Sequence, residues 1–434
     1  MKMTDIYEIA EYTLKALKNC GADAAQCIVG RSKKDELNVD GGKFSLMRST
    51  FNTSISMKAI KDGKKGVTSI NQATKEAIDE AATQCIAAAE SSVTDEAEQI
   101  APFTAKVEYK TGVFEPDLNK LFDRIEEFMS QTKKEYPKVI LEQLISDYEH
   151  SEKLYMNTNG TSLRYEHGEY SFNTMFSAHE GEKASSFNGY FCALDNLDKP
   201  FMDAGMQRQL LEESEKQLNT VSPSEKFVGK VIYSPDCFNE LLQTALENFA
   251  SSGVLIDGTS PWKDALNTKV ASEKLNLRSV PLDDKTVVGQ RFTSDGYPAE
   301  NMDIIVDGVL KTFILSQYGA NKTGFPRALN GGNNLEVLPG DKMLEEMISG
   351  IDRGLIVNRF SGGQPSSNGD FSGVAKNSFL IEKGKVSSAV SETMISGNII
   401  DMLNNIVAIS KEQTTDGLSF MPWAEFDGVT VSGK

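Results

Sequence analysis

LRYEHGEYSFNTMFSA, residues 163–178, places Tyr170, Phe172, Phe176 and Ala178 on one parity and His167, Glu169, Ser171 and Asn173 on the other. A period of two with one apolar and one polar face marks a half-buried antiparallel strand. Working outward, strands are predicted over 139–146 and 154–156, followed by the turn Asn157-Thr158-Asn159-Gly160. Ala24 to Ile60 also alternates, most clearly at Ile55, Met57 and Ala59, and Asp62-Gly63 turns the chain into another strand. Helices flank these strands. A capping box at Asp5 and Glu8 opens the first, with Ile6, Ile9, Ala10, Leu14 and Leu17 on its apolar face and Gly21 at its end. A second carries Ala77, Ile78, Ala81, Ala82, Cys85, Ile86 and Ala89, which makes Cys85 a core residue rather than a nucleophile. A third follows Pro116, and a fourth covers Met206, Leu210, Leu211 and Leu218.

NTVSPSEK, residues 219–226, is polar, contains proline and separates two strongly periodic blocks. The chain therefore divides into an N-terminal α+β domain, residues 1–222, and a C-terminal β-rich domain with a few helices, residues 223–434. The first is expected to hold an antiparallel sheet with flanking helices. The second opens with a strand over 228–233. Ser234-Pro235 then supplies the N-cap and first position of a helix that buries Phe238, Leu241, Leu242, Ala245, Leu246 and Phe249. Strands should dominate beyond it, interrupted by one helix after Asp341 and another after Asn398 that carries Ile399, Met402, Leu403, Ile406 and Val407.

The 434 residues include 62 acidic and 45 basic side chains, a net charge of −17. A field of that sign argues against nucleic-acid and membrane partners, and no apolar run approaches the ~18 residues that span a bilayer. Five widely spaced cysteines without a C-x-x-C pair suit a reducing cytoplasm, where the chain is expected to work. Only three histidines occur, His150, His167 and His179, and none stand at the spacing of a helical two-histidine zinc site. On strand parity His179, beside the turn at Gly181, should be exposed. G-x-S-x-G is absent, and Ser130-x-x-Lys133 lacks partner motifs. No familiar catalytic constellation is written in the residues.

The second half nevertheless carries an ordered set of phrases: Gly258-Thr259-Ser260, Val270-Ala271-Ser272, Ser294-Asp295-Gly296-Tyr297-Pro298, Val306-Asp307-Gly308-Val309-Leu310-Lys311, Gly369-Asp370-Phe371-Ser372-Gly373, and Ser378 to Gly384. Ile395-Ser396-Gly397-Asn398 and the terminal Phe426 to Lys434 complete it. In this order they resemble the TldD/PmbA family, metallopeptidases also described as modulators of DNA gyrase. The resemblance implies two kinds of chain. TldD-like members carry H-E-x-x-x-H on a helix and a cysteine near the C-terminus; PmbA (TldE) members lack these ligands and pair with a TldD-like chain. Here the motif's six positions fall on Gln243, Thr244, Ala245, Leu246, Glu247 and Asn248, and no cysteine follows Cys237. Amides are poor substitutes for imidazole at zinc.

The resemblance thus implies a PmbA-type subunit with no catalytic residue, metal ligand or cofactor of its own, zinc being held by a TldD-like partner. Such a chain would help process unfolded peptides by shaping the compartment that receives them, and could self-associate as a homodimer. Backbone at open sheet edges could accept an extended peptide, with Asn330, Gly331, Asn333, Gly369, Asp370, Phe371 and Gly373 as candidate peptide- or partner-binding residues. The alternatives are a stand-alone metal- or carboxylate-dependent peptidase and a gyrase-modulating interaction protein.

Overall fold

A computed structural model describes residues 3–223 and 225–433; within the linker candidate, Ser224 lies outside the described residues. Side-chain caps start the helices, at Asp5 as the sequence reading expects and at two further residues it did not single out. In α1 (Ile6–Asn19) Asp5 accepts from the Glu8 amide, in α2 (Lys75–Ser91) Thr74 accepts from Ala77, and in α3 (Leu118–Glu135) Asp117 accepts from Lys120.

The first sheet runs in the order β3-β2-β1-β5-β6-β4, from β1 (Ala24–Asp40), β2 (Lys43–Lys61), β3 (Lys64–Ile70), β4 (Lys106–Gly112), β5 (Val139–Asn157) and β6 (Ser162–Glu180). Strand Asn188–Leu194 extends the β6 edge beyond β4. Two features depart from the periodic reading. The alternating stretch from Ala24 is a long hairpin reversed at Gly41-Gly42, both at positive φ. The strands expected over 139–146 and 154–156 are one strand, β5, whose middle carries polar residues on both faces and so shows no apolar alternation.

One face of this sheet is apolar toward both ends, with a charged belt that includes Asp35, His150, Glu152 and Arg164 between the two apolar stretches. Ala25, Cys27, Val29, Ile55, Met57 and Leu154 form a buried cluster with α1 and α2, and Cys85 lies in it as expected. Leu37, Val39, Leu144, Tyr148, Tyr170 and Phe172 meet α3 and α4 (Gln207–Lys216) further along. The opposite face is polar and turns toward the second half of the chain.

Strand Phe227–Tyr233 opens that half, lying between Phe420–Ser432, antiparallel, and Arg353–Val357, parallel. Both sheets are mixed rather than purely antiparallel, since β4 also runs parallel to β6, the chain having returned through α3 and β5 before laying β6 down. Beyond the α5 helix (Pro235–Ala250), residues 257–343 are mostly irregular loops with short strands and a helix at Gln317–Thr323 that the spacing does not announce. The helix after Asn398 ends at Asn404, and Ile406 and Val407 belong to the following strand.

Contacts brace the two halves at both ends of their junction. At one end Phe172, Phe176 and Tyr190 share a buried cluster with Ile232, Ile356, Phe379 and Trp423. At the other, Tyr155 and Leu163 pack with Phe292, Gln26 donates to the Ser294 carbonyl at 3.1 Å, and Thr104 donates to the Gly296 carbonyl at 2.7 Å.

Candidate functional site

Between those braces lies a polar channel. Its first part, about 710 Å³, is walled by Gly30, Ser32, Asn52, Ser54, Ser151, Lys153 and Tyr165 on the sheet side. Asn239, Gln243, residues 288–292, Asn333, Asn334 and residues 416–419 face them. A second part, about 620 Å³, has Asn173, Met175 and Asn188 on one side and Asp236, Glu240 and Arg359 on the other; Asn239 and Asp416 border both.

Helix α5 supplies the inner wall for a reason legible in its spacing. Cys237, Phe238, Leu241, Leu242, Ala245, Leu246 and Phe249 are buried, which turns Asp236, Asn239, Glu240 and Gln243 to the channel at helical intervals. Ser234 caps the helix by accepting from the Cys237 amide and donates to the Asn358 carbonyl at 3.1 Å. The carboxyl of Asp236 is pushed up to about 6 by desolvation, then by Asp416 and Glu240. Glu240 is raised by desolvation too, with Arg359 opposing. Burial drives the Cys237 thiol well above its ordinary range, so it stays protonated and inert.

The candidates named from sequence separate on the structure. Gln243 is exposed to the first part of the channel and donates to Asn239 Oδ1 at 3.4 Å. Thr244 lines a smaller cavity beside Tyr233 and Phe371 and spends its hydroxyl on the Glu240 carbonyl at 2.8 Å. Asn248 is half-buried one turn further on. Of the loop residues, Asn333 lines the channel. Buried Asn330 braces the loop, accepting from Ser279 and from the Gly332 amide, and the Gly331 amide donates to Gln290 at 2.7 Å.

Gly369, Asp370, Phe371 and Gly373 lie at one end of a strand that is only partly enclosed. Strand Asp370–Lys376 pairs with Met394–Asn398 along residues 370–374 and with Arg359–Gly362 along residues 373–376, so Gly373 is paired on both sides and Asp370 and Phe371 on one. Gly369 and Gly373 are buried, Phe371 packs edge-on to Phe360, and Asp370 accepts from Asn368 and Asn398, each at 2.9 Å, as a turn brace.

His179 is exposed, whereas His167 is only 2% exposed. Its Nδ1 lies 2.8 Å from the Thr111 hydroxyl, and desolvation lowers its pKa. Sequence reasoning overlooked Asp236, Asn239, Lys153 and Arg291. The first two were signalled by the polar stripe of α5; Arg291 sits in an irregular loop without a periodic signal.

The sequence model of the PmbA/TldA metallopeptidase C-terminal domain matches residues 226–433, and that of domain 1 of the same metallopeptidases matches residues 25–89. The chain belongs to the PmbA/TldD family. Among PmbA/TldD relatives, the metalloprotease PmbA of Escherichia coli O157:H7 is 31% identical over 155 residues, 35% of this chain and 34% of that one. A zinc metalloprotease TldD homolog of Saccharolobus solfataricus is 29% identical over 220 residues, 47% of this chain and 49% of that one. The matches thus span about half or less of these curated relatives' length. The crystal structure of TldE from Thermococcus kodakarensis superposes with a TM-score of 0.85 over 98% of this chain and 100% of that chain, at 22% identity, and shares the fold.

Zinc, which the relatives' names imply, does not fit the donors on α5. Gln, Thr and Asn offer neutral oxygen and amide groups at 243, 244 and 248. The helix that carries them runs unbroken to Ala250. Among the described residues no group of three or more His, Cys, Asp or Glu side chains is arranged to hold a metal ion.

Proposed function

We propose that this chain is the PmbA/TldE-type subunit of a TldD/TldE-like metallopeptidase that processes unfolded peptides in the cytoplasm. In this reading it performs no hydrolysis itself. Residues 1–222 furnish one wall of a peptide-holding channel and residues 223–434 the other, while zinc and the hydrolytic step belong to a TldD-like partner. The observation that carries the reading is at the family's motif positions on α5: Gln243 borders the channel and Thr244 a smaller cavity beside it, and neither these nor Asn248 offers an imidazole or carboxylate. Asn333, which lines the same channel, is the loop residue best placed to touch a peptide.

Zinc content and peptidase activity of the purified chain, alone and mixed with a TldD-like chain from the same genome, test the proposal. Activity confined to the mixture supports it. Hydrolysis by the lone chain with stoichiometric zinc overturns it.

A further inference from the structure

The basic side chains of the first sheet are mostly spent on acidic neighbours. Lys34 pairs with Asp147 at 3.4 Å and Glu149 at 3.0 Å, and Arg164 contacts Glu108, Glu152 and Glu166. That is the expected pattern in a chain of net charge −17. Lys153 breaks it. It lies on the channel face of β5, directly opposite Tyr165 of β6, and among the described residues its ammonium has no carboxylate or hydrogen-bond partner; the Phe292 ring lies 5.8 Å away. From the other wall, Arg291 brings its guanidinium to 5.9 Å from the same Tyr165 ring and donates to the Pro281 carbonyl, again without a carboxylate.

Nearby acids pair with neither cation. Glu152, which also borders the cavity, is held by Arg164, and Asp416 accepts from the Leu418 and Ser419 amides. Lys153 from one wall and Arg291 from the other thus both line the cavity that Gln243 borders, neither with a carboxylate partner among the described residues. Desolvation without a counter-charge lowers the Lys153 pKa, the disadvantage that an incoming anion would relieve.

We infer that Lys153 and Arg291 form an anion-binding subsite that takes a carboxylate of an unfolded peptide, so that acidic peptides are the preferred guests of the channel. The inference rests on the peptide-channel reading above and narrows it to a substrate class. Phe292 and Tyr165 supply an apolar floor for the aliphatic part of such a residue, and the Ser54, Ser151 and Gln243 side chains border the site as further polar contacts.

Calorimetric titration of the full chain with unstructured acidic, neutral and basic peptides, each with a free and an amidated C-terminus, provides the test. Acidic peptides should bind at least tenfold more tightly than basic ones, and less tightly as salt rises. Lys153→Met and Arg291→Gln should each weaken acidic-peptide binding about tenfold, the loss of one charge-assisted contact, while Lys153→Arg retains it. Thermal melts of the variants establish that folding is intact. If amidation abolishes binding, the C-terminal carboxylate is the bound group; if it does not, acidic side chains are, and either result supports the subsite. Equal affinity for acidic and basic peptides, unmoved by the variants, overturns the subsite and leaves the peptide channel standing. Failure of every peptide to bind overturns both.

Discussion

Asp236 stands at the channel with its carboxyl pushed up to about 6 and with no hydrogen bond to oppose the shift. A folded-state pKa above the unfolded value of about 3.9 means that the native chain holds this proton more tightly than the unfolded one. The stability contribution is therefore present at low pH and declines between about pH 4 and pH 6, and above that the ionised group is a net cost. Asp236→Asn should raise the melting temperature at neutral pH, by about 1 kcal/mol or less because the side chain reaches water, and should change little near pH ~4. A variant that melts lower at neutral pH would contradict this account. Gly296 is a second sensitive residue: its φ is +94°, and an added Cβ would lie 2.3 Å from the Tyr155 ring. Gly296→Ala should cost about 1–3 kcal/mol in urea unfolding through overpacking at this brace. At this scale the sequence spoke clearly where one local bond decides, as at Asp5 and Ser234. It was silent where distant residues meet: the alternation put His167 on a polar face, and the partner that hides it, Thr111, comes from a strand 56 residues away.

Elements were legible in proportion to how far periodicity alone determines them. Helices α1 and α5 begin at the caps their residues announce, whereas Thr74 and Asp117, which cap α2 and α3, were found only in the structure. The long strand β5 was read as two because its middle, Asp147 to Lys153, is polar and charged, and a hydrophobic pattern cannot register a strand whose face borders a wet channel. The glycines of segment 369–373 mark a turn and a strand, but which residues gain a second neighbour, here Gly373 alone, is a property of the sheet and not of the segment. For α5 two expectations follow. Ser234→Ala removes the N-cap and should lower stability by about 1–2 kcal/mol, read from the denaturant midpoint. Gln243→His combined with Asn248→His should add no tight zinc site in a metal titration, since two imidazoles leave the site a ligand short and no cysteine follows Cys237. Stoichiometric tight binding by the pair would show that another side chain completes the site.

At the scale of the molecule, the shift in composition near residue 222 was visible, but the core that joins the halves was not, because Phe172 and Phe176 share a cluster with Phe379 and Trp423, about 200 to 250 residues further along the chain. A shared core predicts one cooperative transition in calorimetry. The fragment 1–222 expressed alone should bind a hydrophobic dye and melt broadly, having lost the apolar partners of Tyr190 and Phe176. Two separated transitions in the intact chain would show that the halves are independent. The bracing at both ends has a mechanical corollary. Walls pinned together above and below cannot swing apart like a jaw, so the gap presents a fixed calibre to whatever approaches. A slack ribbon of polypeptide can slide in with nothing displaced, whereas a globule would have to prise Trp423 from its neighbours before touching Gln243.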